Sequence, residues 1–265
     1  MFVDASPSWS PGTDLSVQID GDKWSIGSFT TAWWRRPGVA DGRTGDELED
    51  RLIAEETAAL FPGMLAATGV RWVDAPWDLV RARLKPLQLA AARSAGAVIP
   101  GTLITGDMER ASGFGSAGDV LAKATSTGFG IAPHVAAVPR EELRRVTACP
   151  TTLQRPVDAD ADLRVVTIGN EIYTWERRRA SGEPIDWRAA DPQGSDFKHV
   201  SGRRCPGATA VAECLGLTFS VQDWLSTDDG DVFLEVNPQG QWLFLEGADR
   251  RIVPALAQHL SGLMT

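Results

Sequence analysis

The chain has 265 residues, enough for one large domain or two to three small ones around a shared cleft, and enough to bury a core without disulfide or metal staples. Lysine plus arginine number 26 against 35 acids, a formal net charge of −9, which lacks the basic footprint of a nucleic-acid binder and disfavours an anionic membrane surface as partner. At 43% apolar and 23% charged residues the composition is that of a globular chain, not a disordered one.

Residues 15–34 read as β, with LSVQIDGDKWSI alternating about an Asp20–Gly21–Asp22 turn as a hairpin does. The run 28–37, SFTTAWWRRP, stops at Pro37. The clearest helix spans Asp46 to Thr68, where Leu48, Leu52, Ala59, Leu60 and Met64 recur at helical spacing opposite an acidic face. Thr44 to Glu47 has the form of a capping box at its start, and Pro62–Gly63 adds a kink near its end. Pro76 and Trp77 punctuate a short connection. A second helix runs from Pro86 to Ala95, with proline in its first turn and Gly96 just past its end. Residues 97–105 form a strand broken by Pro100, 110–118 are polar and Gly-rich, and 119–124 are a short buried strand carrying Lys123. TSTGFG, 125–130, is a glycine loop. Residues 151–157 are extended, 163–176 form a hairpin closed at Gly169–Asn170, and 180–204 are polar and loop-like. A helix over 206–215 precedes the last hairpin, LTFSVQDWL and VFLEV about STDDGD, which ends at Asn237–Pro238, and a helix over 250–263 closes the chain. This order predicts an α+β fold of antiparallel hairpins with helices between, not a doubly wound parallel sheet.

Cys149, Cys205 and Cys214 form no CxxC pair, so a disulfide framework or thiolate zinc site is disfavoured and a reducing, cytoplasmic setting fits best. His134, His199 and His259 are too few and too scattered for a metal cluster. The opening MFVDASPSWSPG has no signal-peptide pattern, and no apolar run approaches the ~18 residues of a membrane span. Most of the ten tryptophans are expected in the core or a cleft.

Glu235 and Asn237 are i and i+2 on the last strand and share a face. If the last hairpin pairs through its tight turn, Asp223 joins them, giving three oxygen side chains that suit Mg²⁺; a solvated strand face with ordinary acids is the alternative. Lys123 ends an apolar strand beside a glycine loop and suits a phosphate, although GxxxxGK[ST] is absent and an edge-strand lysine reaching solvent is the simpler account. Lys85, one residue before the second helix, has a solvated alternative too. Asp162–Leu163–Arg164 and Asp186–Trp187–Arg188 each place an acid and an arginine at i and i+2, suited either to anion clamping or to a structural ion pair. Arg35 and Arg36 beside Trp33 and Trp34 are similar, suited to anion binding or, without any ligand, to cation–π stacking. No GxSxG elbow is present, and Cys149 reads as a buried, inert thiol.

Taken in order, Lys85, Lys123 with its loop, Gln154, Asp162-x-Arg164 and Asp223…Glu235-x-Asn237 resemble the ATP-grasp superfamily. Within it, WWRRP (33–37), KPLQLAAARSAGAVIPGTLIT (85–105), DLRVVTIGNEIY (162–173), DWR (186–188) and FLEVNPQGQWLFLE (233–246) resemble the ATP-grasp ribosomal peptide maturases, the graspetide or microviridin-type macrocyclases. The EVNPxGQW run is the most specific, and the likeness covers roughly residues 15–250.

The resemblance implies two α+β subdomains, 81–155 and 156–265, clamping ATP, after an N-terminal subdomain over 1–80 that looks shortened by one β-α unit. It implies that Lys85 and Lys123 hold phosphates, that the backbone around Gln154 and Arg155 reads the adenine edge, and that Asp162 faces the nucleotide. Family members usually carry Glu where this chain has Arg155, so only a backbone role carries over there. Arg164 and Arg188 would stabilise transferring phosphate or the substrate carboxylate, and Asp223, Glu235 and Asn237 would bind Mg²⁺. The implied activity is a carboxylate–amine or carboxylate–alcohol ligase: Asp or Glu side chains of a precursor peptide, bound by leader and core, become acyl phosphates that Thr, Ser or Lys side chains attack to close ester or amide rings. A homodimer is a further expectation of the resemblance. Two alternatives stand beside it. A ligase for a small amino acid or protein tail is disfavoured by EVNPxGQW and WWRRP. A nucleotide- or leader-binding protein without catalysis is disfavoured by the retained lysines and metal ligands.

Overall fold

The computed structural model describes residues 6–8, 10, 12–19, 21–35, 44–123, 135–202, 205 and 207–262. The readings made on Asp20, Arg36, Pro37, the glycine loop 125–130 and His134 lie outside the described residues. The chain divides into two units, Met1–Pro76 with Leu260–Thr265, and Trp77–His259.

In the first unit, β1 (Ser6–Ser8), β2 (Ser16–Ile19) and β3 (Asp22–Ser25) form an antiparallel sheet in sequence order. The expected hairpin is β2–β3, paired from Ser16↔Ser25 to Ile19↔Asp22, with Gly21 at φ +87° supplying the left-handed turn residue. β4 (Thr31–Trp33) and β5 (Arg71–Val73) pair in parallel, joined by α1 (Glu47–Ala66). The cap of α1 differs from expectation. Asp46, not Thr44, is the N-cap, its carboxylate accepting from the backbone N–H groups of Leu48 and Glu49, while Thr44 donates to Asp50. The apolar stripe is corrected as well: Leu48, Leu52 and Leu60 are exposed, and among the described side chains of α1 it is Met64 and Leu65 that enter the cluster with Leu15, Ile26, Trp34 and Trp72. Arg35 lies over the Trp33 ring at 5.1 Å, the stacking read from the sequence.

The second unit opens at Trp77, within α2 (Pro76–Ala82), where the sequence suggested only a connection, and continues into α3 (Lys85–Ser94). β6 (Thr102–Thr105) is followed by α4 (Met108–Ser116), a helix capped by Asp107 over the stretch read as merely polar and Gly-rich. The antiparallel order β6-β9-β7-β8 builds a four-stranded sheet from β6, β7 (Leu121–Lys123), β8 (Ala136–Ala137) and β9 (Thr151–Gln154). Ala111 of α4, Val120, Leu153, and Leu143 and Val146 of a 3₁₀ helix over Arg140–Thr147 form its core.

The larger sheet has five antiparallel strands. They are β10 (Ala161–Ile168), β11 (Glu171–Arg178), β12 (Lys198–His199), β13 (Phe219–Thr227) and β14 (Gly230–Asn237), in the order β12-β11-β10-β13-β14. β10, at its centre, is buried along its whole length. Between β11 and β12, in the stretch read as loop, stands the short helix α5 (Trp187–Ala190). α6 (Ala208–Cys214) packs against β10, β11 and β13, and α7 (Ala248–Leu260) closes the unit. Antiparallel sheets with helices laid on them are the α+β architecture read from the sequence. Trp175, Trp224 and Trp242 are core residues, whereas Trp24 and Trp77 are about half exposed, 47% each. Cys149 is exposed, which corrects its reading as a buried thiol.

β14 is an edge strand, and its open backbone is closed by two devices. The Val98 carbonyl accepts from Phe233 N–H at 2.8 Å. The Gln88 amide on α3 acts like one more peptide group: Oε1 accepts from Val236 N–H at 3.2 Å and Nε2 donates to the Val236 carbonyl at 2.7 Å and the Ala82 carbonyl at 2.7 Å. Gln88→Leu strands these buried groups, so it should destabilise this unit by about 2–5 kcal/mol in urea unfolding, against about 0–1 kcal/mol for Arg145→Ala in an exposed ion pair.

Candidate active site

The site grows from the register of β13 and β14. Asp223 and Glu235 are direct cross-strand partners, as the turn-based pairing required, and Arg164 of β10 faces Asp223 from the other side. The pairing slips one residue at Asp223/Trp224, which leaves Leu234 unopposed and turns its side chain to the cleft.

Four cations answer these carboxylates. Lys85, at the start of α3, forms an ion pair with Glu235. Its helix is set by Gln88, one turn on and so on the same face. Arg164 pairs with Asp223 and donates to the Gln241 carbonyl at 2.9 Å. That carbonyl approaches because residue 240 is glycine: a Cβ there would stand 2.7 Å from Val221 Cβ and 3.2 Å from the Arg164 guanidinium. Arg188 reaches Asp223 at 3.6 Å and Asp186 at 3.2 Å. Lys123, ending β7, points into the same cleft, not to solvent.

Burial pushes the Lys123 ammonium from 10.5 down to about 8; Glu235, Asp223 and Asp186 pull it up, and Lys85 pushes it further down. Burial alone would raise the Glu235 carboxyl, yet Lys85, Lys123 and Arg188 together hold it below the usual carboxylate range. Lys85, Lys123, Arg164 and Arg188 set four positive charges against the three of Asp223, Glu235 and Asp186, so the cluster has one cation in excess.

Eight of the ten residues singled out from the sequence line one cleft: Lys85, Lys123, Gln154, Arg155, Asp162, Arg188, Asp223 and Glu235. Leu121, Val157, Leu225, Leu234, Trp187 and Phe197 add apolar walls. Arg164 stands behind Asp223 with its side chain 4% exposed. Asn237 turns to the following backbone, its Oδ1 accepting from Gln239 N–H at 3.2 Å. Gln154 donates to the Thr102 hydroxyl at 3.0 Å. Arg155 N–H donates to the Gly101 carbonyl at 2.8 Å, while its guanidinium lies over the Phe114 ring at 4.1 Å and donates to the Asp119 carbonyl at 2.9 Å. Asp162 is ion-paired to Arg177 and Arg179 of the β11 side. Asp186 and Arg188 are not a strand pair: Asp186 caps α5, accepting from Arg188 N–H at 3.1 Å. The sequence reading missed Gln88, Arg177 and Arg179. For Arg177 a signal existed, since the hairpin register sets it directly opposite Asp162.

Among the described residues, no group of three His, Cys, Asp or Glu side chains is placed to hold a metal ion. Two carboxylates side by side still fit Mg²⁺, which binds through one or two carboxylates with water and phosphate oxygens completing its shell. No helix among the described residues is long and apolar enough to cross a membrane.

No family model matches the chain, and no curated protein matches it. Solved structures do. A RiPP-associated ATP-grasp ligase of Chryseobacterium gregarium, in complex with ADP and a leader and core peptide, aligns with TM-score 0.85 at 20% identity over 98% of this chain and 85% of that one. The macrocyclase MdnC of Microcystis aeruginosa, bound with precursor peptide MdnA, aligns with TM-score 0.82 at 22% identity over 98% and 86%. The ATP-grasp ligase PsnB, complexed with a minimal precursor, Mg and ADP, aligns with TM-score 0.75 at 19% identity over 100% and 86%. The chain has the ATP-grasp fold seen in these structures.

The charge balance of the cleft is measurable without any ligand. Lys123 should titrate near pH 8 in an NMR titration of isotopically methylated lysines. Glu235→Gln should move it lower and Lys85→Met higher; opposite signs would refute the arrangement. The folded pKa lies below the unfolded 10.5, so the unfolded chain binds more protons between the two values, and this group makes stability rise with pH from about 8 to 10.5.

Proposed function

We propose that the chain is an ATP-dependent ligase that activates Asp or Glu side chains of a precursor peptide as acyl phosphates and closes ester or amide macrocycles. The observation that carries this reading is the excess cation in the cleft: Lys123 is held at a desolvation cost that a bound polyanion would relieve. The solved neighbours are ligases and a macrocyclase complexed with leader, core or precursor peptides, which supports a peptide substrate.

In this mechanism Lys85 and Lys123 take up phosphate oxygens, and the ends of β9 and β7 border the base. A peptide carboxylate oxygen bonds to the γ-phosphorus as the bond to ADP breaks, giving an acyl phosphate. Arg188, half exposed, lies over the Trp187 ring at 4.6 Å and reaches Asp186 at 3.2 Å and Asp223 at 3.6 Å, and in this mechanism it turns from them toward that phosphate. Arg164 keeps Asp223 aimed. Mg²⁺ held by Asp223 and Glu235 would neutralise charge on the transferring phosphoryl group, with Asn237 a third oxygen donor once its Oδ1 leaves the Gln239 N–H. A hydroxyl or amine of the same peptide then attacks the acyl carbon, loses its proton, and inorganic phosphate leaves. A leader segment bound outside the cleft raises the effective concentration of both reacting side chains.

The test is mass spectrometry of the purified chain with Mg-ATP, with and without the peptide encoded beside it. Loss of one water per crosslink, with matching ADP release, is expected. ADP release with free amino acids but not with peptide would overturn the substrate class, and no ATP binding would overturn the ligase reading. Glu235→Gln should lower turnover by about a thousandfold or more while the thermal transition persists; turnover within about threefold of the parent would refute the metal assignment.

A further inference from the structure

The segment between β11 and α5 returns to the cleft, where Arg179, Ile185, Asp186, Trp187 and Arg188 form part of the wall. Its last helix has only four residues, too short to hold a position by itself. What fixes it starts at Asp162. This carboxylate is 5% exposed and accepts three hydrogen bonds, from Arg177 Nη1 at 3.3 Å, Arg179 Nε at 3.1 Å and Arg179 Nη2 at 2.6 Å. A carboxylate has about four acceptor sites, so little is left for a further ligand. Both arginines then reach onward: Arg177 Nη2 donates to Glu183 at 2.7 Å, and Arg179 Nη2 to the Ile185 carbonyl at 3.1 Å. Asp186 follows at once and caps α5, and Trp187 packs against Phe197 and Phe244 with centroids 5.0 and 6.1 Å away.

Charge separates this cluster from the one at Glu235. Asp162 and Glu183 balance Arg177 and Arg179, two against two, so no cation is left over for a phosphate. We propose that Asp162 is a positioning residue, not a nucleotide ligand: through Arg177 and Arg179 it straps residues 180–186 onto β11 and so sets Arg188 within reach of Asp223. The strap is a property of the chain alone; its catalytic consequence rests on the ligase reading given above.

Hydrogen exchange on the free, full-length chain tests the strap. The N–H groups of Arg188, Ala189 and Asp191 are bonded within the cap and first turn of α5. Asp162→Asn and Glu183→Gln should each speed their exchange by about tenfold while amides in β13 stay protected. With peptide and Mg-ATP, each variant should lose about tenfold in kcat with KM for ATP within about threefold, because Arg188 is displaced and the nucleotide contacts are not. Should Asp162→Asn not fold, Glu183→Gln carries the same test from the surface of the strap. Unchanged exchange in a folded variant would overturn the proposal. So would an Asp162→Asn protein that binds Mg-ADP about tenfold more weakly with its strap still protected, which marks a direct nucleotide contact. The exchange readout stands whether or not the chain proves to be a peptide ligase.

Discussion

Two carboxylates set opposite each other on neighbouring strands repel, and like charges in that register destabilise an antiparallel pair. Asp223 and Glu235 occupy that register, where the edge strand β14 meets β13 at the cleft. Their side chains keep only 13% and 29% of their exposure, so the protein supplies counter-charge. It does so from four elements: Lys85 from α3, Lys123 from β7, Arg164 from β10 and Arg188 from α5. Convergence of these elements is therefore tied to one cross-strand pair.

The placement of α3 shows how backbone and site are coupled. An edge strand needs its outward N–H and C=O groups covered. Gln88 covers those of Val236, next to Glu235, and the same helix face carries Lys85 to the Glu235 carboxylate. One docking event thus seals the sheet edge and delivers a cation. On the far side, Gly240 lets the turn after Asn237 lie against Val221, which brings the Gln241 carbonyl to Arg164. The EVNPxGQW run reads, in these terms, as a strand end, a turn and a close backbone approach that together steady Arg164 behind Asp223.

What the sequence showed and what it concealed follow from the range of the forces involved. Hairpins were legible because period-two alternation and a tight turn fix register locally, and register alone brought Asp223 beside Glu235. The α1 stripe was legible as a helix but misleading as a core, since periodicity reports a face and not what covers it; Leu48, Leu52 and Leu60 stay exposed. α4 was hidden because Gly113 and Gly115 weaken helix propensity, and tertiary contact overrides it: Leu143 packs where a Cβ on Gly115 would fall, 2.3 Å away. α5 and the strap were hidden because no periodicity exists in four residues. Gln88 was hidden because a glutamine that closes a sheet edge is indistinguishable, in sequence, from one on a helix surface.

The two charged clusters on the large sheet also show why counting motifs is weaker than counting charge. Asp162-x-Arg164 looks like one unit in sequence, yet strand pairing sends its halves to different partners. Asp162 meets Arg177 and Arg179 in a cluster that closes on itself, while Arg164 meets Asp223 in a cluster that does not. A closed, neutral cluster gains nothing from an incoming anion, so its energy goes into holding structure. An open cluster with a desolvated lysine gains from every negative charge it admits, and the gain appears only when the anion is present. That asymmetry is the physical ground for the proposed chemistry at Glu235 and the proposed positioning role of Asp162, on different strands of one sheet.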